Sequence, residues 1–244
     1  MAAQLVVALD NMDPERAQAV GEELIAAGVP WLKVGLELYT KAGPAIVQSL
    51  KARGAKIFLD LKLHDIPNTV EHATQAAVAC GADLLTIHTL GGEAMMSAAV
   101  RGARGSSMGL VAVTLLTSHG DNDLPGLLPA GVAPGPALRK DWIFSLSRVA
   151  AIAGVQGLVC SAIDLQDFGT MLKALPWSGS PLFVTPGIRP IGGAAQDQKR
   201  VATPMEAVAA GATHLVVGRP VTSPSSGTIG AAASAILAEL NKKS

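Results

Sequence analysis

The chain has 244 residues, 49% of them hydrophobic and only 16% charged, against roughly 25% charged in typical soluble domains. Its 19 Lys and Arg balance 19 Asp and Glu, and no block of like charge stands out, which excludes a general nucleic-acid or membrane-surface binder. An anionic ligand must therefore be held by a local site, and so little charge favours a large core and an oligomer interface.

Taken along the chain, LVVALD (Leu5 to Asp10) is the first short apolar run. Asp13-Pro14 then sets a capping residue before a first-turn proline, the start of a helix. The phrase that follows recurs: a helical stretch, a glycine turn, an apolar strand, a polar residue. It is seen in AAGVPWLKVG, ARGAKIFLDLK, ACGADLLTIH, GVQGLVCSA and AAGATHLVVG. Gly28, Gly54, Gly81 and Gly211 stand where a helix ends in a left-handed residue, a conformation that costs glycine nothing sterically. GLVAVTLLTS and LFVTPGIRP complete eight strand candidates, each short and apolar enough for a buried parallel strand. Thr203-Pro204-Met205-Glu206 carries the elements of a capping box. Strand and helix alternate over residues 1–244 with no linker, which predicts a single α/β domain, a (β/α)8 TIM barrel, with an open doubly wound sheet as the alternative.

Two segments break the pattern. His119 to Lys140, rich in Pro and Gly, reads as a lid or a disordered excursion, and Pro186 to Arg200 is a second long loop after the seventh strand. No run reaches the roughly 18 apolar residues of a membrane span. MAAQLVVALD carries no basic leader or cleavage site, so a cytoplasmic protein is expected, with Cys80 and Cys160 as reduced, buried thiols.

The chemistry of such barrels lies at the carboxyl ends of the strands. Those ends read Asp10, Lys33, Asp60 with Lys62, His88, Thr117, Ser161, Thr185 and Gly218-Arg219. Asp60 and Lys62 are two apart, so both should point to one face while Leu61 and Leu63 point to the helices. A buried ion pair often fails to stabilise a fold relative to apolar residues of equal volume, so this pattern points to function. Asp65 lies beyond the strand in a loop, where it can reach its own site or a neighbouring subunit's. His64 is expected at the rim and His88 as a hydrogen-bonded histidine beneath it, neither as a metal ligand. TPGIR and VVGRP put Arg189 and Arg219 on adjacent strand ends, where barrels often bind phosphate.

DLKLHDIPNT (Asp60 to Thr69) resembles the signature of the orotidine 5'-monophosphate decarboxylases. The resemblance extends through ALD (Ala8–Asp10), KVG (Lys33–Gly35), VTLLTS (Val113–Ser118), TPGIR (Thr185–Arg189) and GR (Gly218–Arg219), in the family's order and over nearly the whole chain. It implies decarboxylation of orotidine 5'-monophosphate to uridine 5'-monophosphate with no metal and no cofactor. It implies a charged array of Lys33, Asp60, Lys62 and Asp65, with Lys62 the proton donor and Asp65 supplied by the partner in a homodimer. Asp10 and Lys33 would contact the ribose, Thr69 would help from the partner, and Thr117 or Ser118 would meet the pyrimidine. Gln198, Gly218 and Arg219 would join Arg189 around the phosphate. The rivals are related sugar-phosphate barrels, which share Asp-x-Lys-x-x-Asp but use magnesium, and a catalytically silent nucleotide-phosphate binder. The HDIPNT continuation favours the nucleotide enzyme.

Overall fold

A computed structural model describes residues 3–119, 123, 136–190 and 201–241. Eight strands form a closed, all-parallel barrel in which each pairs with the next and the last with the first. They are β1 (Gln4–Ala8), β2 (Trp31–Gly35), β3 (Lys56–Leu63), β4 (Leu84–His88), β5 (Gly109–Val113), β6 (Gly157–Val159), β7 (Leu182–Thr185) and β8 (His214–Val217). Each coincides with one of the eight apolar runs. The helices are α1 (Pro14–Ala26), α2 (Leu36–Ala42), α3 (Pro44–Ala52), α4 (Pro67–Ala79), α5 (Gly92–Gly102), α6 (Pro136–Ile152), α7 (Ala162–Lys173), α8 (Pro204–Ala210), α9 (Arg219–Thr222) and α10 (Ile229–Asn241).

The start and stop signals work as their chemistry requires. The Asp13 carboxylate accepts from the Arg16 N–H ahead of Pro14, and Thr203 and Glu206 close a reciprocal capping box. Gly28, Gly54, Gly81 and Gly211 all take positive φ, between 83° and 106°. Residues 136–140, expected within the excursion that begins at His119, already belong to α6, and most of the remaining segment lies outside the described residues. The ends of the second loop are tied by a parallel bridge between Ile188 and Ala202, with the Arg189 N–H donating to the Ala202 carbonyl at 2.9 Å. Both cysteines are buried, and neither is in a disulfide. Among the described residues, no helix is long and apolar enough to cross a membrane.

Period-two alternation along the strands divides the core in two. Leu5, Val7, Leu215 and Val217 pack outward under the helices, while Val6, Ala8, Phe58, Leu84, Val111, Val184 and Val216 fill the barrel interior. This apolar filling closes the lower barrel, so only the carboxyl ends are left open for polar chemistry. At the amino ends, Trp31 and His214 meet edge to face with ring centroids 5.4 Å apart, and the Lys56 ammonium lies 5.4 Å over the indole.

Burial, with a smaller contribution from Lys56, lowers the His214 pKa from the usual 6.5 to about 4. His88, near the other end, is lowered likewise to about 4 by burial, then by His64 and Lys62. The unfolded chain therefore binds protons between pH 6.5 and 4 that the folded chain refuses. The stability these neutral rings contribute is complete above pH 6.5 and is lost as pH falls toward 4. Thermal melts across that window should show the melting temperature falling with acidity, and His214→Gln should flatten the fall. An unchanged slope in the variant would remove His214 as a source of it.

Candidate active site

A cavity of about 440 Å3 opens at the carboxyl ends of the strands. Its wall carries Asp10 just past β1, Lys33 on β2, and Asp60 and Lys62 on β3. Because these strands are neighbours in the barrel, the four side chains form an alternating row. The Lys33 ammonium is 2.9 Å from Asp10 and 3.5 Å from Asp60, and the Lys62 ammonium is 2.8 Å from Asp60.

Depth differs along the row. The side chains of Lys33 and Asp60 are 9% and 14% exposed, whereas Lys62 is 31% exposed, so its ammonium reaches toward the open space. Burial alone would lower the Lys33 pKa, but Asp60 and Asp10 outweigh it and hold the ammonium above its usual range. Burial would likewise raise Asp60, but Lys33 and Lys62, with hydrogen bonds from Lys62 and Thr86, hold its carboxyl below its usual range. Each inner member thus keeps its charge because oppositely charged neighbours flank it.

The expected alternation along β3 gives the correct wall for the wrong local reason. Leu59 pairs with Leu85 and Leu63 with Ile87, so four steps on β3 oppose two on β4. A bulge lies between, and Lys62 within it adopts φ 51°, a left-handed conformation rarely used by a long side chain. Its N–H donates to the Thr86 hydroxyl at 2.7 Å, and that hydroxyl donates to Asp60 at 3.0 Å. Leu61 and Leu63 do pack against the outer core as expected.

The remaining expected residues divide into three groups. Thr117, Ser118, Arg189, Gly218 and Arg219 all line the same cavity, so either hydroxyl can meet a ligand there. Arg189 is buried and donates from its guanidinium to the Ile188 carbonyl at 2.9 Å, while Arg219 opens α9 immediately after β8. Asp65 and Thr69 are exposed and outside the lining, and the Asp65 carboxylate accepts from the Ile66 N–H at 2.6 Å. Gln198 lies outside the described residues.

Not every polar strand end belongs to the site. Ser161 is fully buried and caps α7 in a reciprocal box with Asp164. Thr185 is buried outside the lining, and His88 stacks on exposed His64 at 5.4 Å while its Nδ1 accepts from the Leu90 N–H. Among the described residues, no three His, Cys, Asp or Glu side chains are placed to hold a metal ion.

Two features of the wall escape a reading of charges. Gly35 leaves room for the Asp10–Lys33 pair, since a Cβ there would sit 2.7 Å from the Asp10 carboxylate and 2.8 Å from the Lys33 ammonium. Asn11 takes φ 58° and its N–H donates to Glu37 at 3.2 Å, which ties the loop after Asp10 to α2. The glycine in KVG was a visible signal, whereas the Asn11–Glu37 tie has none at any fixed spacing.

The sequence profile described as Orotidine 5'-phosphate decarboxylase / HUMPS family matches residues 3–234. Orotidine 5'-phosphate decarboxylase of Nitratidesulfovibrio vulgaris (strain DP4) is 44% identical over 245 aligned residues, covering 98% of this chain and 97% of the relative. The enzyme of the same name from Halorhodospira halophila is 44% identical over 240, covering 97% and 95%. The crystal structure of orotidine 5'-phosphate decarboxylase from Lactobacillus acidophilus superposes with a TM-score of 0.81 at 34% identity, over 98% of this chain and 99% of that one. Profile, relatives and fold agree along nearly the whole length, and the chain belongs to the orotidine 5'-phosphate decarboxylase / HUMPS family.

Proposed function

We propose that this chain decarboxylates orotidine 5'-monophosphate to uridine 5'-monophosphate and carbon dioxide, without a metal, as a cytoplasmic step of pyrimidine biosynthesis. The observation that carries the reading is the row Asp10–Lys33–Asp60–Lys62 on the wall of a cavity that also holds Arg189 and Arg219. The relatives named for this decarboxylase match at full length, which favours it over the sugar-phosphate branch of the family.

In this reading the bond from ring carbon 6 to the carboxylate breaks, and its electron pair stays on carbon 6 with little resonance relief. The Lys62 ammonium, beside that carbon, stabilises the developing charge and then gives up one proton to it. Lys62 regains its proton from water. Asp60 holds the ammonium in place at 2.8 Å. Asp10 and Lys33 take the ribose hydroxyls, Thr117 or Ser118 the pyrimidine edge, and Arg189, Gln198, Gly218 and Arg219 the phosphate. Phosphate binding is remote from the breaking bond, so its energy is available to organise the site.

Asp65 and Thr69 act in the partner's site of a homodimer. Their exposure, and their absence from their own chain's cavity, support this. So do Leu36, Ile66 and Leu90, which are 54%, 65% and 50% exposed just past β2, β3 and β4. Three large apolar side chains around one rim suit a self-complementary interface.

The direct test follows the ultraviolet absorbance of orotidine 5'-monophosphate with enzyme in excess chelator. The substrate band should disappear, and Lys62→Ala should slow its loss by roughly 100- to 10,000-fold. Turnover that returns only with magnesium, or only on a sugar phosphate, would overturn the reading. For the shared site, inactive Lys62→Ala and Asp65→Ala proteins should regain activity when mixed. Random exchange leaves about a quarter of sites intact, and continued inactivity after demonstrated exchange would exclude sharing. Gly35→Ala tests the ribose contacts. Its Cβ displaces only the tips of two side chains, so melting should change little while kcat/KM falls roughly 10- to 100-fold. Wild-type kcat/KM in this variant would count against Asp10 and Lys33 as ribose ligands.

A further inference from the structure

The placement of Lys62 depends on a hydroxyl that is not part of the cavity wall. Thr86 lies in the middle of β4, fully buried, and does not line the cavity. Its Oγ1 meets two partners from β3. The Lys62 N–H donates to it at 2.7 Å, and it donates to Asp60 Oδ1 at 3.0 Å. That same carboxylate oxygen accepts from the Lys62 ammonium at 2.8 Å. One oxygen therefore holds the backbone of Lys62 and the carboxylate that holds the other end of the same residue.

The directions of these bonds follow from the groups involved. An ionised carboxylate only accepts, so the threonine proton must point to Asp60, which leaves a lone pair for the Lys62 N–H. The bulge between Leu59 and Leu63 carries Lys62 out of regular pairing with β4. Its left-handed φ of 51° is one that a lysine keeps only when its surroundings over-determine it. The Thr86 hydroxyl supplies that determination from the neighbouring strand.

We propose that Thr86 is a positioning residue for the reaction: its hydroxyl locks the bulged backbone of Lys62 and the carboxylate of Asp60 together, and so fixes where the ammonium meets the substrate. The inference rests on the reading of Lys62 as proton donor. It is specific to the hydroxyl, because valine has the same shape but leaves the Lys62 N–H and Asp60 without this partner.

The test compares Thr86→Val, Thr86→Ser and Lys62→Ala in the full-length enzyme, with orotidine 5'-monophosphate as substrate and uridine 5'-monophosphate as binding probe. Thr86→Val should lower kcat roughly 10- to 100-fold through misplacement of the ammonium. Its KM and its affinity for the product should stay within about twofold of wild type, because the ribose and phosphate contacts are untouched. Thr86→Ser should restore most of the lost kcat. In Thr86→Val the acid limb of the kcat–pH profile should also move to higher pH, since Asp60 has lost a donor to its charged form. Should Thr86→Val not fold, Thr86→Ala serves in its place with the same expected loss. Wild-type kcat in the folded variant, or a serine variant as slow as the valine one, would overturn the role of Thr86 while an inactive Lys62→Ala kept the proton donor. An active Lys62→Ala would instead remove the proton donor, and this inference with it.

Discussion

The site depends on keeping two ammoniums and two carboxylates ionised together while part of the row is out of water. Lys33 and Asp60 are the buried pair at its centre, and each is stabilised by a neighbour of opposite sign on both sides. Removing one member of such an array leaves a buried charge uncompensated, at a cost of about 3–5 kcal/mol for a typical buried pair. The row is therefore a unit, and much of the local structure serves to hold it. Gly35 gives up a side chain so that the Asp10–Lys33 contact can form, and β3 gives up regular pairing so that Lys62 can reach Asp60.

The barrel makes this affordable by separating its two ends. Below the mouth the interior is apolar, and at the strand starts an indole, an imidazole and an ammonium pack as a plug. None of those residues belongs to the cavity wall. Two polar strand ends that the cavity does not use serve the scaffold instead: Ser161 caps α7, and His88 stacks at the rim. The strand termini are thus a mixed population, and only contact with the cavity distinguishes chemistry from capping.

That mixture explains what the amino-acid order reveals. The eight strands are legible because parallel strands buried on both faces are nearly continuous apolar runs, punctuated by glycines in left-handed caps. The charged row is legible because Asp60 and Lys62 interrupt such a run where apolar residues would serve packing better. The bulge is not legible. Counting by twos puts both side chains on one wall whether or not the ladder is regular, and lysine is not a residue that announces a left-handed turn. Gly35 is visible as the glycine of KVG, but the two side chains it makes room for, Asp10 just past β1 and Lys33 on β2, converge only after folding. Thr86 reads as one more β-branched strand residue until its two partners are seen.

Closure of the barrel has a consequence for how the enzyme comes into being. The first strand pairs with the last, residue Val6 opposite Val216, so the edge of β1 stays open until the end of the chain arrives. The charged row forms among the first three strands, whereas Arg219 stands at the end of the eighth. During synthesis the charged residues of the row exist before the wall that completes their cavity. Such long-range pairing is among the slower events in folding. Ring closure is then a precondition for a complete cavity, and a chain stalled short of its final strand lacks the part of the wall that carries Gly218 and Arg219.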